Sequence, residues 1–262
     1  MTVEERRLLV IVPRPVEPEQ LALRQTQLES VALGPGFRFD FRPVKIAPVH
    51  FVSHHDYLLG DLAAFEAALD AQAEGYDAVC IDTMTDSGVA PLRSVLDIPV
   101  IGPGRVSYLT ALMLGQRFSV VTMWDGWKAF YRKSLDELRL ADRCASIRAI
   151  NVEPDGRNLL VGKEDRVLPA LEAAARRCIE EDGADVICMG STTMHQAHGY
   201  LRDRLPVPVI NPGPLTYKIA EAFLALGLSH SRAAYPGPVA VQDRLVKAML
   251  EAGVSADDEA AR

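Results

Sequence analysis

The stretch GYDAVCIDTMTDSGVAPLRSVLDIPVIGPG, residues 75–104, decides the fold because the chain carries it twice. The second copy is GADVICMGSTTMHQAHGYLRDRLPVPVINPG, residues 183–213. Aligned from their glycines, Asp77 meets Asp185, Cys80 meets Cys188, Thr83 meets Ser191 and Thr85 meets Thr193. After one inserted residue, Pro99, Ile101, Pro103, Gly104 and Tyr108 meet Pro208, Ile210, Pro212, Gly213 and Tyr217. Each copy is an apolar run, a hydroxyl-rich turn, a short helix and a second apolar run closed by Pro-Gly. That is a βαβ unit, and its duplication predicts two similar lobes. Thr83 and Ser191 then occupy equivalent places, facing each other across one cleft.

Outward from the repeats, strands and helices alternate. Leu8 to Pro13 reads as a buried strand, Gln20 to Val31 as a helix stopped by Gly34-Pro35-Gly36, and Phe37 to Ile46 as a strand. His50 to Gly60 reads as a polar, histidine-bearing loop and Leu62 to Gln72 as an amphipathic helix. The first repeat supplies strands at Ala78 to Asp82 and Ile98 to Gly102 around a helix near Val89 to Leu96. Helices follow at Val106 to Leu114, Gly126 to Leu138, Arg166 to Glu180, Leu215 to Leu226 and Val239 to Glu251. Strands are expected at Phe118 to Met123 and Ser146 to Val152, with a loop through Asp155-Gly156. This alternation indicates an α/β protein. The expectation is two pseudo-symmetric lobes, each a mostly parallel four-stranded sheet flanked by helices, with the active site in the interlobe cleft. Residues 1–104 plus 215–262 form the first lobe and 105–214 the second.

The chain has 262 residues, 48% of them hydrophobic, enough for a large core. A net charge of −7 with no basic stripe argues against a nucleic-acid partner. The apolar runs are of strand length, far below the ~20 residues of a membrane span, and no signal-like segment is read at Met1 to Arg7. Cys80, Cys144, Cys178 and Cys188 lack CxxC spacing, and two lie in expected strands as small hydrophobes. A reduced, cytoplasmic protein is expected, with a small, charged tail that frays from Glu251 onward.

The chemistry concentrates at the two turns. Ligands of open parallel sheets bind at strand carboxyl ends, beside helix N-termini. Asp82-Thr83-Met84-Thr85-Asp86-Ser87-Gly88 and Gly190-Ser191-Thr192-Thr193 both lie at such ends. Amides and hydroxyls there can hold a carboxylate or an enolate oxygen. The same residues serve as ordinary helix caps, but two matched turns favour a ligand site. His54, Asp86 and His195 are candidate bases, with Thr83 and Ser191 the central hydroxyls. Thr85, Thr192, Thr193 and His55 are candidate substrate contacts. Tyr108 and Tyr217 could frame the cleft or pack the lobe interface, with packing favoured. Trp124 belongs to an aromatic group that is more often core, but it follows a strand end and could line the cleft. His195 and His198 share a helix face, yet nothing completes a metal-ligand pattern. No nucleotide-binding motif is present, so no organic cofactor and no metal are expected.

These residues resemble the aspartate/glutamate/hydantoin racemase superfamily, closest to its hydantoin-racemase-like branch. The carrying segments are Val79 to Gly88, Asp97 to Gly104, Val120 to Trp127, Asp142 to Asn151, Asp185 to Met194 and Pro208 to Gly227, running on to Tyr235. The resemblance implies a cofactor-free, oligomeric enzyme with its site between two lobes. Members that racemise use two cysteines, one per lobe, as paired acid and base. Thr83 and Ser191 stand where those thiols would be, and Val12-Pro13-Arg14-Pro15 replaces a substrate-touching P-N-T/S motif. A hydroxyl is a far weaker acid than a thiol of pKa ~8.5, so two-thiol racemisation is not expected.

Three functions fit this reading. The first is single-base carbon-acid chemistry (isomerase, decarboxylase or lyase) on a small carboxylate or cyclic amide. The second is hydrolysis of a small cyclic amide, imide or ester by Ser191, Thr83 or an activated water. The third is ligand binding without turnover. The expected partners are a small molecule and further copies of the chain.

Overall fold

The computed structural model describes residues 5–155 and 159–260, with side chains to 255. The Gly156 part of the expected loop, and the first and last few residues, lie outside that range.

Two parallel four-stranded sheets form the molecule, in strand orders β2-β1-β3-β4 and β6-β5-β7-β8. The first contains β1 (Arg6–Val12), β2 (Phe37–Pro43), β3 (Ala78–Ile81) and β4 (Val100–Ile101). The second contains β5 (Phe118–Thr122), β6 (Cys144–Ala149), β7 (Val186–Met189) and β8 (Val209–Ile210). All pairings are parallel, and β3 and β7 hold the same place in their sheets. The expected two-lobed parallel architecture is therefore present.

The central strands are covered on both faces, which is why they read as unbroken apolar runs rather than alternating ones. Leu8 to Val12 and Ala78 to Ile81 are essentially inaccessible. In the first lobe, Leu9, Ile11, Val79 and Ile81 face α2 (His54–Ala68) and α3 (Val89–Val95). Leu8, Val10 and Cys80 face the opposite way, onto Tyr217 and Ala220 of α8 (Pro212–Ala225). In the second lobe, α6 (Glu164–Glu180) covers one face, while α4 (Pro103–Leu114) and α5 (Lys128–Glu137) cover the other. The helix after each repeat packs on a different sheet, α4 against β5 and β7 and α8 against β3 and β4, and the two helices pack on each other. The strand ends of the two lobes are joined through that pair.

Two expectations change. His50 to Gly60 is not all loop: α2 begins at His54, capped by Ser53, whose hydroxyl accepts from the Asp56 amide while the Asp56 carboxylate accepts from the Ser53 amide. This reciprocal cap satisfies donors that would otherwise be orphaned. The tail does not fray at Glu251, because the last helix, α9, spans Asp243–Ala260. Short elements complete the chain: α1 (Pro18–Gln25), α7 (His198–Arg202) and several 3-10 turns. Among the described residues, no helix is long and apolar enough to cross a membrane.

Candidate active site

The carboxyl ends of β1, β3 and β7 open into one cleft of about 600 Å³. Thr83 and Thr85 line it from the first lobe; Gly190, Ser191, Thr192 and Thr193 line it from the second. Each turn closes on itself in the same manner. Thr83 Oγ1 lies 3.2 Å from Thr85 Oγ1, and Ser191 Oγ lies 2.8 Å from Thr193 Oγ1. The Thr193 amide donates to Ser191 Oγ at 3.2 Å, the matched Thr85 amide to Thr83 Oγ1 at 3.5 Å. Gly190 is required by a close approach: a Cβ there would stand 2.6 Å from the Tyr131 hydroxyl and 2.9 Å from Thr122. Tyr131 donates to the Gly190 carbonyl, which fixes the turn from below.

Beneath the hydroxyls lies a buried ion pair. Arg24 on α1 reaches Asp82 at 2.7 Å, and the two side chains are 2% and 0% exposed. Gln27 Nε2 donates to the other Asp82 oxygen at 3.2 Å. The Asp82 carbonyl accepts from Thr192 Oγ1 at 3.0 Å, so the first-lobe turn is tied to the second at its root. The lining also includes the apolar and aromatic side chains of Phe51, Met84, Trp127 and Phe130. Arg14 and His50 add polar groups to the lining, and the His50 ring rests against Trp124 at 5.1 Å between centroids. A lining that combines hydroxyls with aromatic and apolar side chains suits a small ligand with both polar and apolar parts.

Among the described residues, no cysteine lines the cleft. Cys80 and Cys188 lie inside β3 and β7, fully buried against the interlobe helices, and burial drives both thiols far above their ordinary range. Burial also raises Cys144, to about 11.

Several residues singled out from the sequence stand elsewhere. His195 is 4% exposed and does not line the cleft. Its Nδ1 meets the Thr192 carbonyl at 3.1 Å and its Nε2 meets Thr26 Oγ1 at 2.9 Å, so neither nitrogen is offered to Ser191. Burial holds its pKa below the ordinary imidazole value. His198 turns to a third partner, the Val209 carbonyl. His54 and His55 are exposed at the start of α2, outside the cleft, because the Ser53 cap commits that segment to helix. Asp86 points away from the cleft and caps α4, accepting from the Gly104 and Arg105 amides at 2.7 and 2.8 Å. Its burial outweighs those two bonds and raises it to about 6.

Tyr108 and Tyr217 are core residues. Tyr108 stacks on Phe118, while Tyr217 packs against Phe39 and Phe41. Trp124 does not line the cleft itself but supports His50, and Trp127 takes the lining place. Arg24, Gln27, His50 and Phe51 carry little in the sequence that marks them for the site. Arg24 carried one readable signal, a cation among the residues of a half-buried helix that must find an anion. His50 carried none that distinguished it from His54 and His55.

The model of the Asp/Glu/Hydantoin racemase family matches residues 27–220. A hydantoin racemase of Pseudomonas sp. is 30% identical over 188 residues, covering 72% of this chain and 74% of that protein. An allantoin racemase from Pseudomonas fluorescens superposes with a TM-score of 0.80 at 26% identity, over 90% of this chain and 98% of that one. Arylmalonate decarboxylase shares the fold at 19% identity, with a TM-score of 0.56 over 87% of this chain and 96% of that one.

Proposed function

The chain belongs to the Asp/Glu/hydantoin racemase family, and from that premise we propose a cofactor-independent carbon-acid enzyme that works without paired thiols. Its substrate is a small carboxylate or cyclic amide, and its reaction is of the isomerase or decarboxylase type. One observation carries this reading: the matched turns open on a single cleft lined by Thr83 and Ser191, where the resemblance would put the thiols, with no cysteine among the lining residues.

The chemistry follows from what hydroxyls do well. Ser191, Thr193, Thr83 and Thr85 are preorganised donors held by one another. Donors fixed where charge develops stabilise an enolate oxygen without reorganising at the moment of reaction. They cannot take a proton as a thiolate does, so paired thiol acid–base exchange across a carbon is lost. The related hydantoin and allantoin racemases lend the cyclic ureide as a substrate class, and arylmalonate decarboxylase lends the malonate. Serine-nucleophile hydrolysis needs a base within hydrogen-bond reach, and His195 turns both ring nitrogens elsewhere.

A panel of 5-substituted hydantoins, allantoin, cyclic imides and arylmalonates in deuterium oxide, followed by NMR, tests the proposal. Deuterium entering a substrate or product carbon supports it. Ring opening with no label at carbon would make the protein a hydrolase, and tight binding with no turnover would make it a silent relative.

A further inference from the structure

We propose that Asp61 on α2 holds the proton exchanged at the Thr83 side of the cleft and passes it through the hydroxyls of Ser87, Thr85 and Thr83. This rests on the carbon-acid reading above and names the group that reading leaves open.

The geometry is a row of hydroxyls that leaves the cleft and ends at Ser87, next to the glycine whose amide holds the Asp61 carboxylate. Thr83 Oγ1 is 3.2 Å from Thr85 Oγ1, and Thr85 Oγ1 is 2.7 Å from Ser87 Oγ. Ser87 is buried and lines the same small chamber as Asp61. The Gly88 amide fixes the same carboxylate, donating to Asp61 Oδ1 at 3.0 Å. Asp61, Ser87 and Thr85 line one small, tight chamber with Tyr57, whose hydroxyl is buried and has no hydrogen-bond partner among the described residues. Thr85 lines this chamber and the cleft, and with Asp61 it also lines a second, polar cavity of about 750 Å³. The carboxylate can therefore exchange protons at that cavity while the far end of the row faces a bound substrate.

The second lobe lacks such a row. Thr85 matches Thr193, but the position of Ser87 is taken by His195, whose nitrogens meet Thr26 and the Thr192 carbonyl. The first turn thus continues to an ionisable group, and the second ends at its own hydroxyl pair. That difference assigns proton transfer to the Thr83 face and oxyanion binding to the Ser191 face.

The step balances. When the enolate carbon is protonated, its electron pair forms the new C–H bond with the Thr83 hydroxyl proton. Thr83 takes the Thr85 proton, Thr85 that of Ser87, and Ser87 that of the Asp61 carboxylic acid. Asp61 keeps the pair of its broken O–H bond and ends as carboxylate. Carbon deprotonation runs the same transfers backwards, and no alkoxide accumulates. Burial raises Asp61 above the usual carboxylate range, with Glu137 adding to the rise while the Gly88 amide, Lys133 and Ser87 oppose it. Asp86, Arg93 and Arg105 line the same polar cavity. A raised carboxyl is better matched to proton exchange near neutrality.

The test measures kcat, KM and the pH profile of carbon exchange, on a substrate from the panel, for the wild type, Asp61→Asn, Asp61→Glu, Ser87→Ala and Thr85→Val. Carbon deprotonation uses the carboxylate form, so exchange should rise as pH climbs through the Asp61 pKa. Asp61→Asn should lower kcat on the order of 100-fold with KM little moved and that rising limb gone, and Asp61→Glu should restore part of both. Asp61→Asn keeping kcat and the limb would overturn the relay. So would the limb vanishing in His50→Gln while persisting in Asp61→Asn. A carbon-13 titration of the Asp61 carboxyl in the free protein separates this from the parent reading. Ser87→Ala and Thr85→Val should each shift Asp61 upward. If no panel compound exchanges, the carbon-acid reading fails on its own, and an Asp61 titration indifferent to both variants would overturn the relay independently.

Discussion

Thr192 Oγ1 donates to the Asp82 carbonyl at 3.0 Å, joining the turn after β7 to the end of β3 across the lobe boundary. The donor is 2% exposed and so is Asp82. The bond sits one residue from both Ser191 and Thr83, so it sets the relation between the two hydroxyls on which the proposed chemistry depends.

Removing that donor should cost stability and function together. Thr192→Val keeps the shape but leaves a buried carbonyl unpaired, at about 1–3 kcal/mol. Calorimetry should show a lower Tm, and kcat should fall more than KM rises because both faces of the cleft lose their register. An unchanged Tm would mean that the lobes are held in place without this bond.

The ion pair beneath the turns has a different signature. Arg24→Met strands the Asp82 carboxylate, which is 0% exposed, and should cost about 3–5 kcal/mol in urea unfolding. Arg24→Met with Asp82→Leu should regain a substantial part of that loss. Equal losses in the single and double variants would contradict a pair whose members are costly mainly when alone.

Asp86 should make stability depend on pH. Its folded pKa is raised, chiefly by burial, to about 6, above an unfolded value of about 4. A raised carboxyl favours the folded state fully below the unfolded pKa, and that contribution fades as pH climbs through the folded value. Chemical unfolding should therefore show stability falling between about pH 4 and pH 6, by on the order of 2–3 kcal/mol from this group. Asp86→Asn should flatten that part of the profile.

Introducing thiols at Thr83 and Ser191 tests whether the two turns are placed as a racemase pair. Thr83→Cys with Ser191→Cys should racemise an enantiopure 5-substituted hydantoin, followed by polarimetry, well above the wild type and above either single variant. A silent double variant would show that the two positions are not placed as a thiol pair.

Much of the fold was legible because its signals are local and doubled. The buried strands Leu8 to Val12 and Val186 to Met189 announce themselves as apolar runs, and the repeat supplied the pseudo-symmetry. Thr83, Thr85, Ser191, Thr192 and Thr193 were readable as cleft residues because strand ends beside helices are where such sheets bind. The histidines were not. His54 and His195 stand near the turns in sequence, but the Ser53 cap turns one outward and Thr26 holds the other in the core. Asp86 belongs to the right segment, yet a positive φ of 53° turns its carboxylate onto the α4 N-terminus. Arg24, His50 and Asp61 come to the site from other elements, and only tertiary packing brings them there.

The most direct measurement takes a single enantiomer of a substrate with an exchangeable carbon in deuterium oxide and compares deuterium uptake with loss of optical activity. Proton transfer confined to the Thr83 face predicts that label enters faster than configuration is lost, with the substrate largely retaining its hand. Exchange and inversion at equal rates from the first turnover would mean that both faces handle protons, contradicting the assignment of Ser191 to oxyanion binding.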